Sequence, residues 1–147
     1  MAGLALEFTW LRRYGLVPAK IPNELRTQTG FDRVPRIYKI CSASAWREAE
    51  RSGVYQGSAD DLRDGFIHFS TASQVGETAR KHFFGQTALF LVEVEADALG
   101  DALRWERSRN DELFPHLYGE LDLGAVTFVR DMPARSDGSH DIPELAP

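Results

Sequence analysis

Two hydrophobic rhythms alternate along this chain. "RIYKIC", 36–41, is rich in β-branched and aromatic residues and predicts a strand. "SAWREAERSG", 44–53, predicts a short helix, with Ser44 as N-cap and Gly53 as its stop. "SADDLRDG", 58–65, reads as a turn or one helical turn opened by Ser58, and "FIHFS", 66–70, as a second strand. The strongest helical pattern covers 71–85: Thr71 and Gln74 have capping-box spacing, Val75, Ala79 and Phe83 recur every fourth residue, and Gly85 ends the run. "ALFLVEVEA", 88–96, is the most apolar strand and predicts a central position, with further strands over 102–108 and 125–132. Between these last two lies a long loop with a short strand at 116–121. Helices are too few for a doubly wound sheet, so the pattern predicts an α+β domain of mostly antiparallel, strongly bent sheets.

Both ends break this rhythm. Residues 1–35 hold Pro18, Pro22 and Pro35, little periodicity, and five basic residues against three acidic ones. They read as an N-terminal arm. The compact domain spans 36–132, and the patternless tail 133–147 is expected to be solvated.

Composition narrows the function classes. The 147 residues are 43% hydrophobic and 27% charged, enough for one real core. A net charge of −5 argues against a nucleic-acid surface but not against a small nucleotide ligand. Cys41 is the only cysteine, so no internal disulfide can form, which fits a reducing cytosol. No apolar run reaches the ~18 residues of a membrane span, and the N-terminus is a poor signal peptide, so a cytoplasmic location is expected.

Common signatures of chemistry are missing: there is no Gly-rich phosphate loop, no G-x-S-x-G elbow, and no metal-ligand spacing among His68, His82, His116 and His140. What remains is concentrated in two places. In "DGFIHFST", alternation puts Phe66, His68 and Ser70 on one face and Ile67 and Phe69 on the other. His68 and Ser70 are therefore candidates to line a cleft, where an imidazole could bond a ligand or move a proton; the plain alternative is a satisfied histidine on a partly exposed sheet. Thr71 reads as the cap of the helix that follows. The second concentration, 105–120, holds Trp105, Glu106, Arg107, Arg109, Phe114, His116, Tyr118 and Glu120. Arg109 could clamp an anion, and Glu106 or Glu120 could steady a cation or act as a base; otherwise this is a salt-bridged loop anchored by its aromatics. Two such concentrations on a short chain are expected to share one pocket. Of Tyr38 and Lys39, which alternate on the first strand, one faces the same way as that pocket. Trp46 and Cys41 read as core.

The stretches "DGFIHFSTASQ" and "LFPHLYGEL", within a pattern covering about 36–132, resemble the bacterial domain-of-unknown-function 952 family (DUF952). That family is in turn similar to ADP-ribosyltransferase-like folds. The resemblance implies a split, two-sheet α+β domain with NAD in the cleft between the sheets. "GFIHFST" stands for the middle element, with His68 in place of its tyrosine, and Glu120 for the late glutamate. The opening strand offers Tyr38 and Lys39 where those folds carry His or Arg. On this reading Glu120, His68 and Glu106 are the catalytic nominees, and Tyr38, Lys39, Phe69, Ser70, Thr71, Trp105, Arg109, His116 and Tyr118 line the ligand. Three functions stay open: an ADP-ribosyltransferase-like enzyme using NAD, a non-catalytic module for a nucleotide or anionic metabolite, and a protein-interaction domain.

Overall fold

The computed structural model describes residues 35–147; the arm proposed for 1–35 lies outside them except for Pro35. The chain runs β1 (Arg36–Ser42), α1 (Ala43–Ser52), β2 (Val54–Tyr55), α2 (Ala59–Asp64), β3 (Ile67–His68), α3 (Val75–His82), β4 (Leu89–Glu95), β5 (Leu103–Arg107), β6 (Leu113–Leu117), β7 (Leu121–Asp122) and β8 (Val126–Asp131). Short 3-10 turns separate β4 from β5, β5 from β6, and β7 from β8. The architecture is α+β, and the strand pairings are antiparallel.

Two three-stranded sheets carry the domain, in the orders β1-β4-β8 and β3-β6-β5, with a small β2-β7 ribbon beside them. β1 and β4 pair along their full length, from Arg36↔Glu95 to Ser42↔Leu89. The large sheets meet at one bridge, where Tyr38 and Ser70 exchange both backbone hydrogen bonds at 2.8 Å. β3 therefore has only two ladder residues: Phe69 N–H still bonds Pro115 O at 3.0 Å, but Ser70 has already crossed to β1. Tyr38, Lys39 and Ile40 of β1 and Ser70 at the bridge line a cleft.

β1 is buried on both faces, and its alternation feeds two cores. Ile37 and Cys41 join Trp46, Tyr55, Ile67, Phe69, Val92 and Leu117. Tyr38 and Ile40 join Val75, Ala79, Leu89, Leu91 and Met132, with Ile142 and Leu145 packed over them. The tail is thus docked rather than solvated. Tyr38 Oη donates to Ala146 O at 2.6 Å, His140 is buried with Nε2 2.7 Å from Gln86 O, and Ala134 bridges to His140. Its apolar residues are too widely spaced to show a period, so the sequence conceals the packing.

Element edges also shift for local reasons. α1 starts one residue early because Ser42, not Ser44, accepts from Ala45 N–H, at 3.2 Å; Gly53, at φ 87°, closes it. The helix expected over 71–85 begins only at Val75 and ends at His82, with Phe83 rather than Gly85 as its cap. Ser70 is fixed in the sheet bridge, and the next residues form a turn. Only half of the capping box exists: Thr71 N–H donates to Gln74 Oε1 at 3.0 Å, while Thr71 Oγ1 meets Ser73 Oγ. The strand expected at 116–121 divides into β6 and β7 around a turn at Gly119, φ 139°. No described helix is long and apolar enough to cross a membrane.

Candidate functional site

α2, read from sequence as a turn or one helical turn opened by Ser58, is a short helix with that cap and organises the cleft. Its N-terminus is a full capping box, with Ser58 Oγ accepting from Asp61 N–H at 3.2 Å and Asp61 Oδ2 accepting from Ser58 N–H at 2.8 Å. The same Asp61 carboxylate, 2% exposed, accepts from Lys39 Nζ at 2.7 Å, from His68 N–H at 3.1 Å, and lies 2.6 Å from His68 Nδ1. Four donors fill its lone-pair sites, so Asp61 has no capacity left for a ligand. Burial pushes its carboxyl upward, but the His68 hydrogen bond and the Lys39 charge outweigh that and hold it well below the usual carboxylate range. Lys39, 5% exposed, is neutralised by the same contact, which uses one of the three donors of its ammonium. It is a buried, paired cation that also lines the cleft, as expected of a ligand contact.

Asp61 thereby fixes His68. Nδ1 points at Asp61, and Nε2 lies 3.0 Å from Asp64 Oδ2 at the end of α2. A neutral imidazole could donate to only one of these carboxylates. Across the β3–β6 ladder His68 pairs with His116, and their rings meet edge-on at 5.5 Å. His116 is buried, with Nδ1 3.0 Å from Glu106 Oε1. Burial lowers its pKa, partly offset by Glu106, so the neutral ring donates from Nδ1 and leaves Nε2 as an acceptor. Phe66 stacks on His116 at 4.1 Å and touches His68 and Tyr118. The face of Phe66, His68 and Ser70 expected from alternation is the face found.

The opposite wall belongs to α3. Thr78, one turn before His82, meets Ser70 Oγ at 3.0 Å and accepts from Arg109 Nη2 at 3.3 Å. Arg109 also reaches Glu77 at 3.5 Å and lies over the Phe114 ring at 5.0 Å. These contacts are long beside the ~2.7–2.9 Å of a committed guanidinium pair. Arg109 is thus positioned by its neighbours but not saturated. Between the two walls lies a cleft of about 250 Å³, lined among others by Lys39, Asp64, His68, Ser70, Arg109 and His116.

The other nominees are distributed as follows. Tyr38 and Phe69 reach the cleft from the two cores. Glu106 and Tyr118 stand behind His116: Tyr118 Oη donates to Glu106 Oε1 at 2.7 Å, and the hydrogen bonds from Tyr118 and His116 depress the Glu106 pKa. Neither side chain lines the cleft. Trp105 faces the opposite side of β5 from Glu106 and packs on the first core, because strand residues alternate. Thr71 lies at the turn outside the lining. Glu120 is exposed, 3.4 Å from Gln56 Nε2, beside a separate shallow groove near Phe66 and Gly65. The turn at Gly119 carries it away from the cleft. The sequence reading missed Asp61, Asp64 and Thr78. The Ser58–Asp61 capping spacing was the available signal for Asp61. Among the described residues no group of three or more His, Cys, Asp or Glu could hold a metal ion.

Comparisons with known proteins place this arrangement. The profile of "Protein of unknown function (DUF952)" matches residues 40–129. The crystal structure of protein CC0527 from Caulobacter crescentus is similar at 47% identity and a TM-score of 0.70, over 72% of this chain and 93% of that one. The solution NMR structure of CC0527 is similar at 48% identity and a TM-score of 0.64, over 71% and 90%. No curated protein matches the chain. The matched profile, covering more than half of the chain and both walls of the cleft, places this protein in the DUF952 family.

Proposed function

We propose that this domain captures a small metabolite in the cleft between α2 and α3, holding an anionic group at Arg109 and orienting the rest against His68 and His116. One observation carries the reading. Two chains of polar side chains, Lys39–Asp61–His68 and Ser70–Thr78–Arg109, converge on a single cleft; the Asp61 carboxylate that centres the first is filled, and the Arg109 guanidinium that ends the second is not. Saturated groups build a site, whereas a positioned but under-bonded guanidinium gives a ligand something to bind. The cleft volume of about 250 Å³ falls just below the ~300–1,000 Å³ of drug-sized pockets, which favours a metabolite over a whole dinucleotide.

The ADP-ribosyl-transfer reading asks for a carboxylate at the reacting centre to steady an oxocarbenium-like charge. Glu120 is outside the cleft and Glu106 is committed to His116 and Tyr118, so this geometry supports capture ahead of transfer. The test is a thermal-shift screen of the full chain against carboxylated and phosphorylated metabolites, nucleotides, ADP-ribose and NAD. A ligand at 100 times its Kd adds about 2.7 kcal/mol of stability. Arg109→Ala and His68→Ala are expected to abolish the shift, and Glu120→Ala to leave it intact. A shift that survives Arg109→Ala, or no shift with any compound, defeats the proposal. NAD turnover dependent on Glu120 would restore the transferase reading.

A further inference from the structure

Charge in the cleft is divided between its ends. The α3 wall carries Arg109, 16% exposed and incompletely bonded. The α2 wall carries Asp60 and Asp64, whose neutralising partner is Arg63, with Asp64 also touching His68 Nε2. Arg63 lies 2.9 Å from Asp60 and 3.2 Å from Asp64, but its side chain is 68% exposed. Exposed pairs of this kind contribute little and are screened by salt. Arg63 is therefore a displaceable cation in front of two carboxylates. The Asp61–Lys39 pair deeper in the same wall is buried and closed. One end of the cleft is thus available to an anion and the other to a cation, and a purely anionic ligand would be repelled by the second.

Resting on the reading of the cleft as a ligand site, we infer that its ligand is a small zwitterion of the amino-acid class, with its carboxylate at Arg109 and its ammonium at Asp64 in the place Arg63 occupies. The ammonium supplies donors to Asp64. Neutralising either end of the ligand should leave one wall unpaired. Specificity would then come from a charge pair rather than from shape.

The experiment titrates the isotope-labelled full chain by NMR with free amino acids, β-alanine and 4-aminobutyrate, each beside its N-acetyl counterpart. At least one zwitterion is expected to move the resonances of cleft residues, with acetylation weakening it about tenfold or more, as loss of a charged hydrogen bond would. Asp64→Asn should weaken the zwitterion by a similar factor and the acetylated form by much less. Arg63→Gln, at an exposed position, should strengthen the zwitterion, because it removes the internal competitor. Equal binding of the acetylated forms, or weaker zwitterion binding in Arg63→Gln, overturns the inference. Binding confined to amine-free carboxylates or phosphates overturns it too, yet leaves the capture reading standing. If neither the zwitterions nor the metabolites of the thermal-shift screen bind, both fall.

Discussion

Replacing Asp61 with Asn is the severest small change this domain should experience. The carboxylate accepts from Ser58, His68 and Lys39 through contacts of 2.6–3.1 Å, in a site 2% exposed. Asparagine keeps one acceptor oxygen and turns an NH2 group toward donors that have nowhere else to point. It also strands the Lys39 ammonium. Breaking a buried pair in this way costs about 3–5 kcal/mol, a large part of a typical ~5–15 kcal/mol total. With an m-value of about 2 kcal/mol/M, the urea midpoint should fall by about 1.5–2.5 M. The pH dependence follows from the depressed Asp61 pKa. A carboxyl whose folded pKa lies below its unfolded value of about 3.9 contributes its stability above that value and loses it as pH falls through the folded value. The deficit of Asp61→Asn should therefore be flat above about pH 5 and narrow below about pH 4. Adding Lys39→Met should recover at least about 1 kcal/mol relative to the sum of the two single changes, because the stranded charge is gone. A deficit under about 1 kcal/mol at neutral pH, or additive single and double variants, would refute the idea that this pair organises the cleft.

Two more outcomes are expected. Ser58→Ala removes half of the α2 capping box and should cost about 1 kcal/mol in urea unfolding, whereas Thr71→Ala, whose hydroxyl meets only Ser73, should stay within about 0.5 kcal/mol; the reverse order would restore Thr71 as a cap. Cys41 is buried and its thiol is pushed up to about 12 by desolvation, so a disulfide reagent at pH 8 should label it only after unfolding; prompt labelling of the native protein would contradict the burial.

Local chemistry was legible where it decided the outcome. "RIYKIC" is a strand because its residues favour a pleated, two-sided burial, and Phe66, His68 and Ser70 share a face because strands alternate. The sequence reading put both polar concentrations in one pocket; His68, Arg109 and His116 do line one cleft, whereas Tyr118 and Glu120 do not. Other features depended on distant residues. Asp61 looks like an ordinary turn acid until β1 brings Lys39 beneath it. Thr71 and Gln74 have the spacing of a cap, but the Tyr38–Ser70 bridge fixes the preceding residue and delays the helix. Glu120 was nominated by its place in the chain order, and a turn at Gly119 was enough to remove it from the cleft. Ile142 and Leu145 carry no period because they dock as single anchors.

The strand order also governs time. Among the described residues, β5 and β6 are the only paired strands that follow one another in sequence; β1 must wait for β4, β2 for β7 and β3 for β6. Loop closure precedes the reward of each distant pairing, so a topology of this kind belongs with the slower folders, at about milliseconds to seconds. The β5–β6 hairpin, which carries Arg109 and His116 to the cleft, is the one pairing that can form from local contacts alone among the described residues. The α2 wall, with Lys39 under Asp61, is complete only when the first strand has found its partner some fifty residues downstream. The hairpin is thus a local, early product of folding, and the walls that close the cleft around it are late, global ones.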